Sequence, residues 1–491
     1  MMIIPFTPVP LGPFAPFPNP GPPMENGNIP EGPIDVLVAG GGNAGISAAI
    51  NAAEAGARVV VIEAAPRHMR GGNTRHTRNF RVMHEVPKGV LTDVYPEDEY
   101  FDDLMRVTGG ETDEVLARMT IHESGAAMDW LVAHGVRFQP ALGGTLSLSH
   151  SNAFFLGGGK ALANALYRAA EAAGVTILYE TPVDRLTIED GCFKSARVCR
   201  ERERFDIEAR VFIAAAGGFE ANIGWLKEYW GAAADNFRIR GTPYNTGDVL
   251  RALLDAGAAP VGDPKQCHAV AIDGRAPKFD GGIATRLDSV PFGIVVNKDG
   301  NRFYDEGEDF WAKRYAIWGR LVADQTDQMA YSIIDAKAAD DFMPSMFEPV
   351  QGDSITELAG KLELDPGALN ATVEAFNAAV TAGTFDRGAL DDCATQGLAP
   401  PKSHWARPID VPPYSAYALS PGITFTYLGV KVDETARVIM ANGKRAENIL
   451  AAGEIMAGNI LGKGYLAGIG MTIGSVFGQA AGREAARHGL D

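Results

Sequence analysis

A glycine motif near residue 40 constrains the fold of this chain more than any other feature. Gly40, Gly42 and Gly45 follow a short apolar strand predicted at 34–38 and open an alanine-rich helix, after which a second apolar strand ends in Glu63. Strand, glycine turn, helix and strand in this order form a βαβ unit. Its glycines permit a tight turn, a close approach of backbone to a pyrophosphate and close packing of helix on strand. The motif predicts a dinucleotide at the helix N-terminus, with Glu63 accepting hydrogen bonds from a ribose diol.

Three later segments favour FAD over NAD as that dinucleotide. The loop 70–74 can wrap a pyrophosphate and a flavin ring, and the strand ending at 214–219 finishes in small residues that allow close approach. Gly453 and Glu454 end a late strand whose carboxylate can reach ribityl hydroxyls, and the helix expected at 470–487 directs its N-terminus at the flavin pyrimidine. We predict FAD, contacted by Gly40, Gly42, Asn43, Ala44, Gly45, Glu63, Gly71, Gly72, Asn73, Thr74, Val183, Ala216, Gly217, Gly453, Glu454, Gly470 and Thr472.

Charge and cysteine usage narrow the possible partners. A formal charge of −17 repels nucleic acid and anionic lipid, so we expect neither as a partner. The four cysteines are dispersed and form no CxxC, which predicts reduced thiols, no iron–sulfur cluster within this chain and no other metal site. No apolar run reaches the roughly 18 residues of a membrane span, and no basic segment typical of a secretory signal precedes the fold. These observations predict a cytoplasmic protein without direct membrane insertion.

The distribution of proline and of apolar segments suggests how the chain is divided. Residues 1–33 hold eleven of the 30 prolines and are expected to form a flexible extension outside the fold. Dinucleotide-binding segments are predicted at 34–262 and again at 428–491, where apolar strand character returns. The mixed stretch 263–427, which contains three tryptophans, is interpreted as an inserted second domain.

Several long segments resemble the flavoprotein family of fumarate reductases, succinate dehydrogenases and 3-ketosteroid dehydrogenases, from Ile34 onward. The matching segments are 38–42, 71–74, 297–303 and 451–454, and a closer similarity to the branch that dehydrogenates tricarballylate rests on 71–79 (GGNTRHTRN), 152–159 (NAFFLGGG), 421–430 (PGITFTYLGV) and 458–470 (GNILGKGYLAGIG).

The resemblance implies an α/β fold. It consists of a Rossmann-like FAD-binding domain of the glutathione-reductase type with an inserted α+β capping domain. It also implies an FAD-dependent dehydrogenase acting on CH–CH groups of a small carboxylate, most closely tricarballylate to cis-aconitate. The α-proton would go to a base and the β-hydride to flavin N5. Electrons would leave to a separate iron–sulfur membrane partner. A ketosteroid-type or other flavin dehydrogenase or reductase, and an electron-relaying flavoprotein module, remain the alternatives.

The sequence departs from this family at several substrate positions. The arginine that donates a proton in fumarate reductases stands four residues after a glutamate that matches Glu306, where this chain has Phe310. A substrate histidine is replaced by Thr424 or Phe425, and a substrate arginine by Tyr465. The histidine used elsewhere for covalent flavin attachment aligns with Asn73, not His76, so we predict non-covalent FAD.

Cationic side chains that follow the flavin loop, together with others further along, are the expected substrate contacts, because carboxylates are best held by arginine. The base is left open among three residues that suit proton transfer. Substrate binding is predicted for His76, Arg78, Arg286, Arg302 and Thr424, with Arg302 and Glu306 pairing with each other as the alternative, and catalysis for His268, Arg314 and Tyr465.

Overall fold

A computed structural model describes residue 29 and residues 31–140 and 148–490 of the chain. The proline-rich extension predicted at 1–33 therefore lies almost wholly outside the described residues. The strands are β1 (Val36–Ala39), β2 (Val59–Ile62), β3 (Asn79–Arg81), β4 (Phe138–Gln139), β5 (Asn152–Phe155), β6 (Thr176–Leu178), β7 (Val183–Glu189), β8 (Cys192–Arg200), β9 (Glu203–Glu208), β10 (Val211–Ala214), β11 (Arg238–Ile239), β12 (Pro260–Val261), β13 (Cys267–Asp273), β14 (Ile294–Asn297), β15 (Ala330–Ile334), β16 (Val350–Gly352), β17 (Tyr414–Thr426), β18 (Gly429–Val430), β19 (Arg437–Ile439) and β20 (Arg445–Ala451).

The helices alternate with the strands in the first part of the chain and become more scattered later. They are α1 (Asn43–Glu54), α2 (Glu97–Thr108), α3 (Glu114–His122), α4 (Ser124–Ala133), α5 (Leu148–Ser151), α6 (Gly158–Ala172), α7 (Ile223–Trp230), α8 (Asp248–Asp255), α9 (Trp311–Arg314), α10 (Trp318–Ala323), α11 (Ile355–Lys361), α12 (Pro366–Ala379) and α13 (Ile469–Leu490).

One six-stranded sheet carries the predicted βαβ unit, in the order β19-β20-β10-β1-β2-β6. Its strands run parallel except for β19, which pairs antiparallel with β20. Strand β1 is fully buried, as a central strand covered on both faces must be, and it consists of the apolar run Val-Leu-Val-Ala. The Rossmann-like sheet is therefore confirmed, and its strands come from both ends of the described chain.

A second sheet lies in the part of the chain interpreted as the inserted domain. The long strand β17 is its spine, because β11, β13, β15 and β16 all pair with it, and β14 joins at the edge beside β15. Since β11 already belongs to this sheet, its strands begin before the boundary placed at residue 262. Helices α11 and α12 cover a small separate apolar core against this sheet.

Helices α1 and α13 pack against each other along most of the length of α1 and lie against the parallel sheet. Close packing depends on glycine, since a Cβ at Gly478 or Gly482 would meet the α1 backbone at Ala44 or Ala48. A side-chain contact locks the same pair, because Asn43 Nδ2 donates to Met471 O at 3.1 Å and to Ser475 Oγ at 3.0 Å. Both helices consequently begin at the same end of the sheet.

Candidate active site

The carboxyl ends of the parallel strands open into a cavity between the two sheets, and residues from both sheets line it. Ligands bind at this edge in open α/β sheets. The N-terminal turn of α1 and the loop that follows β2 line one part of it, and β17 with the start of α13 lines the other. The cavity therefore joins the predicted dinucleotide site to the predicted substrate side chains.

Glycines shape the dinucleotide end of this cavity. A Cβ at Gly40 would overlap the backbone of Ala215 on the neighbouring strand, and one at Gly45 would overlap the carbonyl oxygen of Gly40. Gly42 differs, because the nearest atom to a Cβ there is Thr74 Oγ1 at 3.6 Å, and the residue lines the cavity. Gly40 thus permits the tight turn, Gly42 leaves an open backbone surface, and Gly45 permits close packing of the turn on the helix. This arrangement fits a pyrophosphate over the α1 N-terminus.

Glu63 lies at the floor of the same end. Its Oε2 accepts the N–H groups of Gly41 at 3.2 Å and Gly71 at 3.4 Å, while Oε1 accepts that of Ala65 at 2.9 Å. Burial raises the pKa of this carboxyl, and the three backbone donors oppose the rise. A buried carboxylate that lines the cavity and is held rigidly by backbone is suited to a ribose diol.

Two buried carboxyl groups, Glu220 and Glu454, lie together behind the flavin loop. Glu220 Oε1 accepts from the side-chain amides of Asn73 at 2.6 Å and Asn245 at 2.7 Å, and Glu454 Oε1 accepts the N–H of Thr426 at 2.9 Å. Burial raises the pKa of both groups, and the neighbouring carboxylate holds that of Glu454 well above its usual range. Burial and the neighbouring carboxyl thus favour the protonated form of this pair.

Three arginines converge on the other end of the cavity. Arg78, Arg240 and Arg286 all line it, and burial lowers the pKa of Arg78 to about 9 and that of Arg240 to about 10. Arg286 pairs with Asp288 at 2.6 Å, and Arg78 lies 3.9 Å from the same carboxylate. Because two of these guanidinium groups share the single carboxylate of Asp288, this end of the cavity has an excess of positive charge in a chain that is acidic overall.

The arginines are positioned by groups that leave part of each guanidinium available. Arg240 Nε donates to Thr424 Oγ1 at 2.7 Å, while its Nη1 is buried without a partner. Asp288 is itself fixed by Trp311 Nε1 at 2.6 Å. The Arg286 guanidinium lies 4.8 Å from the ring centroid of Tyr315, which also lines the cavity. An anion is the ligand that satisfies such unpaired donors best.

An aromatic pair forms the wall beside the arginines. The rings of His268 and Tyr465 stack with centroids 3.8 Å apart and planes 7° from parallel, and Tyr315 meets His268 edge-on at 5.5 Å. Burial, followed by Arg240 and Arg286, lowers the pKa of His268 well below its usual value, so the ring is neutral at neutral pH. Tyr465 accepts the N–H of Gly470 at 3.1 Å, and burial raises its pKa.

His76 closes the wall on the side of the flavin loop. Its Nε2 lies 2.6 Å from Asp280 Oδ1, and the imidazole is almost fully buried whereas the Asp280 side chain is 34% exposed. Burial lowers the pKa of His76 to about 4; Asp280 opposes that change, and Arg240 and Arg75 add to it.

Most of the predicted site residues meet in this one cavity. The predicted contacts on its wall are Gly40, Gly42, Asn43, Ala44, Glu63, Gly72, Asn73, Thr74, His76, Arg78, Val183, Ala216, Gly217, His268, Arg286, Thr424, Gly453, Glu454, Tyr465 and Gly470. Gly45 and Gly71 lie just behind the wall. Thr472 is buried, and its hydroxyl donates to Arg81 O at 2.7 Å, so its side chain ties α13 to β3. Its predicted contact with FAD is therefore corrected to a structural role.

Two predicted arginines do not reach the cavity. Arg302 pairs with Glu306 through Nη2 at 2.5 Å and donates to Pro400 O at 2.7 Å, which is the alternative that the sequence left open. Arg314 pairs with Glu308. Both side chains are held by carboxylates away from the cavity wall, which corrects the substrate-binding prediction for Arg302 and the catalytic prediction for Arg314.

Sequence reasoning missed Arg240, Asp288 and Tyr315. Arg240 follows the short strand β11 and Tyr315 follows the single turn α9, and neither stands in a recognisable motif. Only the pairing of β11 and β13 with β17 brings these segments to the cavity.

The described part of the chain bears on the predictions about metal sites, membrane spans and cysteine pairing. There, no cluster of three or more His, Cys, Asp or Glu side chains is arranged to hold a metal ion. None of the helices between residues 31 and 490 combines the length and apolarity that a bilayer crossing requires. All four cysteines are unpaired, with Cys267 and Cys393 buried.

Comparison with known proteins agrees with the geometry of the cavity. The family model described as FAD binding domain matches residues 35–471. NADH:fumarate oxidoreductase from Klebsiella pneumoniae (strain 342) is 26% identical over 475 residues, which cover 92% of this chain and 48% of that protein. The 4-oxocyclohex-2-ene-1-carboxylate 5-dehydrogenase of Sinomonas cyclohexanicum is 30% identical over 358 residues, covering 67% of this chain and 60% of that enzyme. The chain thus spans only about half to three fifths of these two relatives.

A solved structure shares the whole architecture. The open conformation of a flavocytochrome c3 fumarate reductase superposes with a TM-score of 0.73 at 24% identity, covering 94% of this chain and 79% of that one. At this level of identity the similarity shows the fold, and the chemistry must be argued from the side chains in the cavity.

Proposed function

Because this chain belongs to the FAD binding domain family, we propose that its cavity holds FAD at the glycine end and oxidises a small polycarboxylate at the arginine end. The chain is an FAD-dependent oxidoreductase of the fumarate reductase family. The substrate that we propose is tricarballylate, converted to cis-aconitate by loss of an α-proton and a β-hydride.

The arginine cluster is the observation that supports a polycarboxylate. Arg78 and Arg286 share a single carboxylate, Asp288, and Arg240 lines the same cavity, so a dianionic or trianionic ligand neutralises the charge that the protein leaves. Apolar steroid rings would leave the buried Nη1 of Arg240 without a partner, and an unsatisfied charged donor costs several kcal/mol of binding free energy.

The roles within the reaction follow from where each group lies. FAD supplies the hydride acceptor when it is bound. Arg240 and Arg286 are placed to hold carboxylates and to stabilise the negative charge that develops beside the carboxylate as the α-proton leaves. With Arg314 away from the cavity, the groups that can exchange this proton are Tyr315, Tyr465 and His268.

We also propose that FAD is held without a covalent bond. The side chain of Asn73 stands where related enzymes carry the attached histidine, and its amide is fully used by the protein. Nδ2 donates to Glu220 and Thr424 O, and Oδ1 accepts the N–H of Thr242 at 2.8 Å. Acid precipitation should release yellow cofactor into the supernatant, and a yellow pellet would refute this proposal.

Anaerobic mixing tests the proposed substrate. Tricarballylate should bleach the flavin absorbance, whereas succinate, citrate and a 3-ketosteroid should do so more slowly or not at all. Arg78→Ala should abolish bleaching while FAD stays bound, and Arg197→Ala, which removes an exposed arginine far from the cavity wall, should leave it unchanged. Bleaching by the steroid but not by tricarballylate would favour the ketosteroid-type alternative. Contact of the steroid rings with Tyr465, His268 and Phe425, which line the cavity, would then explain the steroid's binding.

If no organic acid or steroid bleaches the flavin, the chain is better described as an electron-relaying module. The proposed electron acceptor of the dehydrogenase is a separate iron–sulfur protein at a membrane. Comparing Tyr315→Phe, Tyr465→Phe and His268→Gln in single turnovers then identifies the proton-transfer group, since loss of a general base slows a reaction by about 10²–10⁴-fold.

A further inference from the structure

The reaction proposed above releases one proton inside the cavity, so a path from that cavity to solvent is required. In related reductases the arginine four residues after the glutamate handles this proton, but Phe310 occupies that position here and Glu306 is committed to Arg302. A pair of titratable side chains that begins at the cavity wall and ends at the surface would provide such a path.

The pair His76–Asp280 has this arrangement. His76 lines the cavity and its imidazole is 5% exposed, while Asp280 is 34% exposed. His76 Nε2 and Asp280 Oδ1 are 2.6 Å apart in an ion-pair contact, and both atoms are buried without a hydrogen bond to any described residue. The imidazole thus touches the cavity on one side and a carboxylate that reaches solvent on the other.

Backbone contacts fix both members of the pair. His76 ends a short 3-10 turn at 72–76, and a Cβ at Gly282 would lie 2.9 Å from its Nδ1, so only glycine at 282 leaves room for the ring. The N–H of Asp280 donates to Gly241 O at 2.8 Å, and that of Gly282 donates to Arg240 O at 3.1 Å. The loop that carries Asp280 is therefore anchored to the segment that carries Arg240.

We propose that His76 and Asp280 relay protons between the cavity and solvent. A proton from the cavity binds His76 Nδ1 as the Nε2 proton passes to Asp280, and the Asp280 carboxyl then releases it to water. No electrons move in this step, and the imidazole returns to its starting form when its tautomer resets. The inference rests on the proposed function, because dehydrogenation supplies the proton.

The charges around His76 suit a relay that works through the neutral ring. Arg240 and Arg75 oppose protonation of the imidazole, and Asp280 favours it. A neutral imidazole accepts at one nitrogen and donates at the other, whereas a permanently charged ring could only donate.

The test measures proton movement without relying on the organic substrate. The holoenzyme is mixed anaerobically with reduced methyl viologen in weakly buffered phenol red, because chemical reduction of bound FAD takes up protons from the medium. Flavin bleaching and dye colour are followed in the same experiment. In the wild type the two signals should coincide.

In Asp280→Asn, flavin bleaching and proton uptake should both slow by about 10-fold or more, because two-electron reduction is not completed without a proton, and His76→Gln should behave alike. Asp280→Glu should restore most of the rate, since it retains the carboxylate. Asp327→Asn, which removes a surface carboxylate paired with Lys298, is the matched control and should match the wild type.

Proton uptake at the wild-type rate in both Asp280→Asn and His76→Gln, with FAD content unchanged, would overturn the relay. If either variant loses FAD, Asp280→Glu and the remaining variant decide the outcome in the same assay. Failure of every carboxylate to bleach the wild-type flavin would refute the proposed function alone, because electrons from viologen still test the relay.

Discussion

Replacing Asp288 by asparagine perturbs the charge of the arginine cluster while keeping most of its geometry. Asparagine retains an oxygen that can accept from Arg286 and from Trp311 Nε1, so the loss is mainly the negative charge. Both side chains of the Arg286–Asp288 pair are almost fully buried, at 4% and 6% exposed. Breaking a buried ion pair in this way costs about 3–5 kcal/mol, because the remaining cation stays desolvated.

The exposed pair Arg197–Asp206 provides the matched control. It is bidentate, with Arg197 Nε at 3.1 Å and Nη2 at 2.9 Å from the two carboxylate oxygens, but its side chains are 45% and 41% exposed. Because solvent screens this pair, Asp206→Asn should lower the free energy of unfolding much less than Asp288→Asn does. Urea unfolding with FAD in constant excess measures both variants. Equal losses in the two variants would refute the argument that burial sets the cost.

The pH dependence of Asp288→Asn has a definite sign. Burial raises the pKa of Asp288, but Arg286 and Arg78, with the hydrogen bonds from Arg286 and Trp311, lower it below its usual value overall. A carboxyl with a lowered folded-state pKa stabilises the protein above its unfolded-state pKa, and this contribution is lost as the pH falls through the folded-state pKa. The difference between wild type and variant should therefore be full at pH 7 and shrink below about pH 4.

Two further predictions concern the FAD end of the cavity. Gly45→Ala places a Cβ against the carbonyl of Gly40 and should cost FAD binding and stability, whereas Gly360→Ala, which meets no atom within 4 Å in α11, should be neutral or stabilising by up to about 1 kcal/mol in the same thermal and absorbance assays. Burial, followed by Glu220, raises the pKa of Glu454 in the folded protein. A carboxyl with a raised folded-state pKa makes the wild type lose stability as the pH rises above about 4. In Glu454→Gln the free energy of unfolding should therefore fall less steeply with rising pH. Unfolding curves from pH 5 to pH 8 with saturating FAD test this, and parallel pH profiles for wild type and variant would contradict it.

The sequence was sufficient where short-range chemistry decides the structure. Gly40, Gly42 and Gly45 predicted a strand, a turn and a helix, which the structure contains as β1, the glycine turn and α1, and Glu63 lies where the βαβ unit requires it. These features depend on steric limits and apolar burial within a few tens of residues, which the order of residue types records directly.

The substrate end depended on long-range pairing that residue types do not reveal. Arg302 and Arg314 resembled Arg78 and Arg286 in the sequence, yet carboxylates four and six residues away hold the first two outside the cavity. Arg240 was missed because its position depends on β11 pairing with β17, nearly two hundred residues later in the chain. A nearby carboxylate decides whether an arginine is free to bind a ligand. Whether that arginine reaches the cavity depends on the register of the second sheet.

The junction between Asn43 and α13 has a consequence for biosynthesis. The side chain of Asn43 binds Met471 and Ser475, 428 and 432 residues later, so the glycine turn near residue 40 gains its partner helix only when nearly all of the described chain has been made. Non-local closure of this kind slows folding, since loop entropy is lost before the contacts form. The nucleotide pocket is therefore incomplete during most of translation. We expect FAD to bind after synthesis of the chain, with chaperones shielding the incomplete pocket until then.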